Sequence, residues 1–193
     1  PSRSSAASDV YKRQMIDANQ VWEVDEAIEW IRELEFADPF FIEEPTSPDD
    51  IAGHKKIKDA IQPIKVATGE MCQNRIIFKQ FIQDNALDIV QIDSCRIGGL
   101  NEILSVLLLA HKYDKPVWPH AGGVGLCEYV QHIAMIDYLL ISCEKNNKRI
   151  EYVDHLHEHF LNPCQVEAGK YSVPLNPGFS IEMKNETLTN YLY

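Results

Sequence analysis

Short apolar runs alternate with longer stretches of helical periodicity along most of the chain. An apolar run at residues 15–16 is followed by residues 24–36, where apolar side chains recur at the spacing of a helix. The alternation continues to about residue 155 and predicts six strands separated by five helices. The strands fall in the segments QMIDANQ, PFFIEEP, PIKVATGE, LDIVQIDS, KPVWPH and RIEYVDH. This order predicts an α/β fold with a parallel sheet.

The start of the second predicted helix carries several helix-initiating residues. Ser47 is a candidate N-cap, Pro48 suits the first helical position, and Asp49 and Asp50 fit the first turn. We therefore expect this helix to begin at Ser47.

One polar residue lies at or near the end of each predicted strand. These residues are Asp17, Glu43, Glu70, Asp93, His120 and Glu151. One reactive side chain per strand and helix unit, at the carboxyl end of the strand, is typical of a (β/α)8 barrel active site. A doubly wound sheet usually has a glycine-rich phosphate loop after its first strand, and the sequence has none there. The pattern favours the barrel.

The first three of these residues are carboxylates on successive strands. Asp17, Glu43 or its neighbour Glu44, and Glu70 would repel one another unless a cation lay between them. Ligands that are all oxygens favour a hard ion, Mg²⁺ before Mn²⁺. Each acid alone could be a solvated strand-end residue, but three in register predict a metal site.

The next two strands end in an acid and a histidine. A carboxylate hydrogen-bonded to imidazole fixes its tautomer and makes it a usable general acid or base, so Asp93 and His120 are a candidate catalytic pair. A structural histidine before the glycine-rich turn HAGGVGL is the alternative for His120. The predicted metal site favours catalysis.

Composition and charge exclude some classes of protein. The 193 residues carry a net charge of -11 with no block of Lys and Arg, which argues against a nucleic-acid surface. No run of about 18 apolar residues suggests a membrane span. Five scattered cysteines with no CxxC pair predict free thiols in a reducing compartment.

The first fourteen residues differ from the rest of the chain. They are rich in Ser and lack hydrophobic periodicity, so we expect residues 1–14 to be unstructured or artefactual. An organelle presequence is the alternative, although Asp9 counts against it. The fold is expected to begin near Met15.

Two further motifs have competing interpretations. His155, His157 and His159 alternate in HLHEH and would share one face of a strand that could bind Zn²⁺, whereas a loop would let them hydrogen-bond locally. The glycines of AGGVGL suit either a phosphate-binding loop or a close approach of backbone to substrate. The loop and the close approach are the favoured interpretations.

Six motifs in order resemble the enolase superfamily, mandelate racemase subgroup. They are MIDANQ, FIEEPT, ATGEM, QIDSCRIGG, WPHAGGVGL and EYVDHLHEHF, and the last two are typical of its fuconate dehydratase branch. The resemblance extends from Met15 to about Met183. It implies about six βα units from the C-terminal part of a TIM-type barrel at residues 15–160, without the N-terminal capping domain. It also implies a tail at 161–193 that packs toward that domain.

The resemblance implies a role for each strand-end residue. Asp17, Glu43 and Glu70 would bind Mg²⁺, and Glu44 would support these ligands without binding the ion itself.

It further implies that Asp93 and His120 form the catalytic dyad and that Glu151 hydrogen-bonds the substrate carboxylate or the enolate oxygen. Asn19 and His155 are expected to contact substrate.

The reaction that the resemblance implies is the dehydration of a sugar acid. A Mg²⁺-dependent hydro-lyase would convert L-fuconate to 2-keto-3-deoxy-L-fuconate through an enediolate, with His120 as the acid that assists departure of the β-hydroxyl. The alternatives are another acid-sugar dehydratase, a racemase of the same subgroup, or a non-catalytic truncated isoform.

Further expectations concern what lies outside this chain. The family's other catalytic group is a lysine in a Lys-x-Lys motif on the second barrel strand, and the predicted series begins at the third. We therefore expect this lysine to be missing. The full-length parent is expected to be a homo-oligomer in the mitochondrial matrix or the cytoplasm.

Overall fold

The computed structural model describes residues 14–144 and 148–192, and the chain divides into two compact units, Pro1–Val90 and Gln91–Tyr193. Apart from Gln14, the segment predicted to be unstructured lies outside the described residues.

The first unit is built from strands that alternate with helices. Its elements are β1 (Met15–Asp17), α1 (Val24–Glu33), β2 (Phe41–Glu43), α2 (Ile51–Ala60), β3 (Lys65–Thr68), α3 (Arg75–Gln83) and β4 (Ile89–Val90), with a 3₁₀ turn at Glu35–Ala37. The strands are parallel and lie in the order β1-β2-β3-β4. Each strand pairs with the next along the chain, as in a barrel, and the order does not reverse as it does in a doubly wound sheet. The sequence prediction of four parallel strands here is confirmed.

The apolar face of each helix packs on this sheet. In α1 the buried residues Ala27, Ile28 and Ile31 recur three to four positions apart, which places them on one stripe. They join a core cluster with Ile42 of β2 and Val66 of β3. Burial of this apolar stripe, at about 25 cal/mol per Å², is the main stabilisation of the helix.

The start of α2 differs from the prediction. Ser47 lies in a turn in which the Asp50 N–H donates to the Ser47 carbonyl at 3.0 Å. The N-cap is Asp50, whose carboxylate accepts from the Gly53 N–H at 2.7 Å. The prediction of a cap at Ser47 is therefore wrong, because the carboxylate of Asp50 reaches the free N–H groups of the first turn.

A buried lysine ties α2 to the strands. Lys58 Nζ lies 2.9 Å from Asp88 Oδ1, and the Lys58 side chain is 5% exposed. It also donates to Asn85 Oδ1 at 2.8 Å and to the Leu87 carbonyl at 3.1 Å. Asp88 in turn accepts from the Val66 N–H at 3.0 Å. The buried ammonium is thus matched by three acceptors, as a charge away from water requires.

The second unit is mainly helical. Its elements are α4 (Leu100–Lys112), α5 (Leu126–Ile136), β5 (Val166–Glu167), β6 (Lys170–Tyr171) and α6 (Asn185–Asn190), with a π-helical stretch at Asp137–Ser142 and a 3₁₀ turn at His157–His159. The buried face of α4 contains Ile103, Val106, Leu107 and Ala110. Helices α4 and α5 confirm the two helices predicted for this part of the chain.

The fifth and sixth predicted strands are not regular strands in the structure. A parallel bridge joins Asp93 to His120, and the Glu151 N–H donates to the Pro119 carbonyl at 3.4 Å. Pro116 and Pro119 lack the N–H groups that a ladder needs, which accounts for the loss of regular pairing. These contacts place the three segments side by side in the order in which they occur along the chain.

The C-terminal segment contains a hairpin and a short helix. Strands β5 and β6 form the antiparallel hairpin, and the helix is α6. The expected packing of residues 161–193 on a capping domain stays a prediction. Among the described residues, no helix is long and apolar enough to cross a membrane.

Candidate active site

The acidic strand ends of the first unit lie on neighbouring strands. Asp17 is the last residue of β1 and pairs directly with Glu43, the last residue of β2. Glu70 follows the end of β3 at Thr68. Glu43 and Glu70 are half-buried and Asp17 is exposed. The sheet therefore brings Asp17 and Glu43 together, and the metal-binding role of the three residues stays a prediction.

Asn19 orients the carboxylate of Asp17. Its backbone N–H donates to Asp17 Oδ1 at 2.8 Å and its side-chain amide donates to Asp17 Oδ2 at 3.0 Å. Asn19 has a φ of 47°, a left-handed conformation that Asn adopts more readily than most residues. The contact that the structure gives Asn19 is thus with a predicted metal ligand, and its contact with substrate stays a prediction.

Glu44 differs from Glu43 in its surroundings. It is 2% exposed, and its Oε2 accepts from Gln20 Nε2 at 2.6 Å. Hydrogen bonding to a neighbouring side chain fits the supporting position that the resemblance implies for Glu44.

In the second unit Asp93 and His120 are in direct contact. His120 Nδ1 lies 2.8 Å from Asp93 Oδ2, and both side chains are buried. The parallel bridge between the two residues sets this contact. A proton on Nδ1 donates to the carboxylate, which leaves Nε2 as the nitrogen that can exchange a proton with a substrate.

Asp93 is held as a carboxylate by several donors. Its Oδ1 accepts from the N–H groups of Cys95 at 2.7 Å and Arg96 at 2.9 Å. Arg96 Nη1 lies 3.2 Å from Oδ2. Burial raises the pKa of Asp93, but the hydrogen bonds from His120 and from these N–H groups outweigh it and hold the pKa below its ordinary value. The charged form is therefore the one that orients the imidazole.

Glu151 lies on the other side of the imidazole. Its Oε2 is 3.8 Å from His120 Nε2 and accepts from the Ala121 N–H at 2.6 Å. The Tyr171 hydroxyl donates to the Glu151 carbonyl at 2.6 Å. Asp93, His120 and Glu151 therefore form one constellation, with Nδ1 directed at Asp93 and Nε2 on the side of Glu151.

The glycine-rich turn leaves room for the histidine. A Cβ placed on Gly122 would lie 2.6 Å from His120 Nε2. Any side chain at this position would therefore displace the imidazole. The backbone of AGGVGL approaches the imidazole of His120 closely, and the expected close approach of this backbone to substrate stays a prediction.

The three histidines of HLHEH do not share the face of a strand. His157 Nδ1 contacts Glu128 Oε1 at 2.6 Å, whereas His159 Nδ1 contacts Thr187 Oγ1 at 3.1 Å. The predicted loop with local hydrogen bonds is the better description. His155 is exposed, and its predicted contact with substrate stays a prediction.

A Lys-x-Lys pattern occurs at Lys56–Lys58 but lies within α2. Lys56 pairs with Asp25 at 2.6 Å and Lys58 is buried against Asp88, so both have structural partners. The pattern is therefore not the strand motif that the resemblance implies, and the absence of the catalytic lysine stays a prediction.

Several residues of the site were not found by sequence reasoning. Arg96 brings a positive charge next to Asp93. The Ala121 N–H donates to Glu151, and Gly122 leaves room for the imidazole of His120. Arg96 lies in QIDSCRIGG and Gly122 in HAGGVGL, so the motifs pointed to the segments without indicating these contacts.

The chain matches the family described as enolase C-terminal domain-like over residues 3–187. The chain belongs to this family. The match confirms both the resemblance and the α/β barrel class of the fold.

Two curated proteins illustrate the relationship. L-galactonate dehydratase of Hypocrea jecorina is 57% identical over 181 residues, which cover 93% of this chain and 40% of that protein. Human mitochondrial enolase superfamily member 1 is 54% identical over 184 residues, 94% of this chain and 42% of that protein. The chain thus spans about two fifths of the length of these relatives.

Solved structures agree with the fold. The crystal structure of human mitochondrial enolase superfamily member 1 has a TM-score of 0.91 and 54% identity, covering 94% of this chain and 42% of that one. L-talarate/galactarate dehydratase from Salmonella typhimurium LT2, liganded with Mg and L-lyxarohydroxamate, has a TM-score of 0.77 and 28% identity, covering 92% and 42%.

Proposed function

We propose that this chain supplies the Mg²⁺ ligands and the acid–base dyad of a hydro-lyase that removes water from a sugar acid. The observation that carries the proposal is the constellation of His120 between Asp93 at 2.8 Å and Glu151 at 3.8 Å. Dehydratases among the relatives and the Mg-liganded structure support this class of reaction.

Asp17, Glu43 and Glu70 would hold the Mg²⁺. Their donors are all carboxylate oxygens on neighbouring strand ends, which suits a hard cation. When bound, the ion would stabilise the negative charge that develops on the substrate carboxylate as the α-proton passes to a base, a role that we assign to the lysine of the second barrel strand that the resemblance implies.

His120 would then act at the β-carbon. A proton on Nε2 passes to the β-hydroxyl, the bond from that oxygen to carbon breaks, and water leaves. The enol that remains becomes a 2-keto acid when the carbon that lost the hydroxyl takes up a proton. Asp93 holds Nδ1 throughout, so the imidazole keeps its orientation while Nε2 gains and loses its proton.

Glu151 would position a substrate oxygen beside His120. Its carboxylate is itself fixed by the Ala121 N–H at 2.6 Å, so its second oxygen is the one available to a substrate group. A fixed partner loses little conformational freedom when substrate binds, which favours reaction over mere binding.

L-fuconate is the substrate that we propose, and L-galactonate is the second candidate. The motifs of the fuconate dehydratase branch favour the first, and the 57% identity to an L-galactonate dehydratase favours the second. The two acids share their configuration and differ at C6, which carries a hydroxyl in L-galactonate and a hydrogen in L-fuconate. A preference between them therefore measures how the site treats a single hydroxyl.

A hybrid protein provides the test in a complete context. In human mitochondrial enolase superfamily member 1, the matching segment is replaced by residues of this chain. Formation of 2-keto acid is then measured with Mg²⁺ and L-fuconate, L-galactonate, galactarate or mandelate, for the hybrid and for the chain alone.

Turnover of L-fuconate or L-galactonate by the hybrid, lost in His120→Asn, is the expected result. Activity on galactarate or mandelate alone would contradict the proposed substrate. A hybrid that folds and binds Mg²⁺ but dehydrates none of these acids would overturn the reaction and favour the non-catalytic interpretation.

We further propose that the full-length parent is a homo-oligomer in the mitochondrial matrix or the cytoplasm. The word mitochondrial in the relatives' names supports the compartment. Fractionation of cells with an antibody against the chain tests the compartment, and sedimentation of the endogenous protein tests the assembly.

A further inference from the structure

Three metal-binding side chains of the second unit lie together away from the predicted Mg²⁺ ligands in the sequence. One ligand atom each from Cys127, His157 and Cys164 falls within 4.8 Å of the others. Cys164 Sγ is 3.8 Å from His157 Nδ1. Cys127 lies in the first turn of α5, and the other two come from the segment that follows the predicted sixth strand.

A buried carboxylate adjoins this cluster. Glu128 is fully buried, and its Oε1 accepts from His157 Nδ1 at 2.6 Å and from the Cys164 N–H at 3.2 Å. Among the residues that the structure describes, its Oε2 has no hydrogen-bond partner. A buried carboxylate oxygen is costly to leave without a partner, so this atom calls for a cation or a donor.

The imidazole is oriented as in a metal site. His157 Nε2 lies 2.8 Å from the Val153 carbonyl, and Tyr152 stacks on the ring at 5.5 Å between centroids. Histidines that bind metals usually donate their other N–H to a backbone carbonyl or carboxylate, which fixes the ring. Nδ1 is therefore the nitrogen on the side of Cys164 Sγ and Glu128 Oε1.

We propose that Cys127, His157 and Cys164 bind one Zn²⁺ through Sγ, Nδ1 and Sγ, with Glu128 as the fourth ligand. Two thiolates, one imidazole and one carboxylate form the four-coordinate set that Zn²⁺ accepts, and thiolates are poor ligands for Mg²⁺. Four protein ligands leave no open position, so the site is structural.

Zn²⁺ would bind in exchange for protons that the ligands now carry. Each thiol that is still protonated releases its proton, and Zn²⁺ replaces the proton shared by His157 Nδ1 and Glu128 Oε1.

The site would join two parts of the second unit. Cys127 Sγ lies 3.8 Å from the Ala121 carbonyl and 3.7 Å from the Val153 carbonyl. The Ala121 N–H donates to Glu151, so the sulfur contacts both segments that flank His120. Zn²⁺ at this position would hold the turn after His120 and the segment after Glu151 in place.

Metal content of the full chain tests the proposal. The purified chain is incubated with Zn²⁺, freed of excess metal by gel filtration and analysed for zinc per chain. Cobalt(II) is then added to the metal-free chain. About one zinc per chain and a thiolate-to-cobalt charge-transfer band with tetrahedral visible bands are expected.

Substitutions at the ligands give the matched comparison. Cys164→Ser should lower the affinity for Zn²⁺ by at least about 100-fold, and the double variant Cys127→Ser, Cys164→Ser should abolish the cobalt–thiolate band. Cys143→Ser, at an exposed cysteine, should bind as the parent does. Competition with a chelator on the unaltered chain measures the affinity even if a variant fails to fold.

Two results would overturn the proposal. One is a folded chain that retains no more zinc than the double variant. The other is a chain that binds no zinc and, with hydrogen peroxide, loses two hydrogens in mass as Cys127 and Cys164 form a disulfide and the peroxide is reduced to water. An excess of Mg²⁺ should not displace the zinc, so this test is independent of the proposed dehydration.

Discussion

The two units obtain their order in different ways. In the first unit, four parallel strands pair in register, and the predicted metal ligands Asp17, Glu43 and Glu70 are only partly covered. In the second unit, Asp93 and His120 are joined by an isolated parallel bridge, yet their side chains are buried and joined by a hydrogen bond.

This difference fits the role that we propose for each site. Carboxylates that bind a cation can be drawn into place by the ion, so the backbone needs only to bring the strand ends together. An imidazole that transfers a proton must have its tautomer and direction fixed before substrate arrives. Under the proposed function, the regular sheet would serve the first need, and the donors around Asp93 would serve the second.

Asp93→Asn would remove the charge that orients His120 and is expected to have the largest effect. An amide can present its N–H to Nδ1 and impose the wrong tautomer, so turnover by the hybrid protein should fall by about 10²–10⁴-fold. Asp114→Asn, at an exposed acid, is the control. Unchanged turnover in Asp93→Asn would show that order in the second unit does not depend on this pair.

Lys58→Met tests the side-chain network of the first unit. It leaves Asp88 without its buried counter-charge, and the free energy of unfolding should fall by about 3 kcal/mol in urea titrations of the chain. Lys56→Met on the same helix removes a pair whose side chains are 60% and 80% exposed and should change stability by less than about 0.5 kcal/mol. Equal effects would contradict the structural role of Lys58.

Gly122→Ala sharpens the account of the second unit without changing any charge. Its Cβ would lie 2.6 Å from His120 Nε2, so the imidazole must move and turnover by the hybrid should fall by about 10²-fold. Gly123→Ala meets only the flexible end of Leu126, at 2.9 Å, and is the matched control. Mg²⁺ affinity should be the same in both variants, and a shared loss of affinity would point to misfolding.

Asn74→Ala is expected to have the smallest effect. The Asn74 side chain accepts from the N–H groups of Ile76 and Ile77 at the start of α3, and its loss should lower the free energy of unfolding by about 1 kcal/mol. Asn74→Asp keeps an acceptor and should retain most of this stability. A similar loss in both variants would show that capping is not the cause.

The sequence allowed the alternation of strands and helices and the polar strand ends to be predicted. Apolar periodicity marks the buried faces directly, and Asp17, Glu43, Asp93 and His120 follow apolar runs at regular intervals. The free state of all five cysteines was also predicted and is confirmed.

What the sequence did not indicate depends on contacts between distant residues. Cys127, His157 and Cys164 are too far apart along the chain for any spacing rule, and the fully buried Glu128 stands in an ordinary helical pattern. The cap at Asp50 was missed because Ser47 and Asp50 are both suitable N-cap residues for α2, and only the backbone geometry decides between them.

The burial of Lys58 has a consequence for chemical labelling. Acylating reagents need a neutral amine that they can reach, and Lys58 presents an ammonium with three acceptors around it. Lys55 and Lys56, on the same helix, are exposed enough to be modified while the fold is intact. The rate of acylation of Lys58, compared with the rates at these two neighbours, therefore reports how often the first unit unfolds enough to expose Lys58 to the reagent.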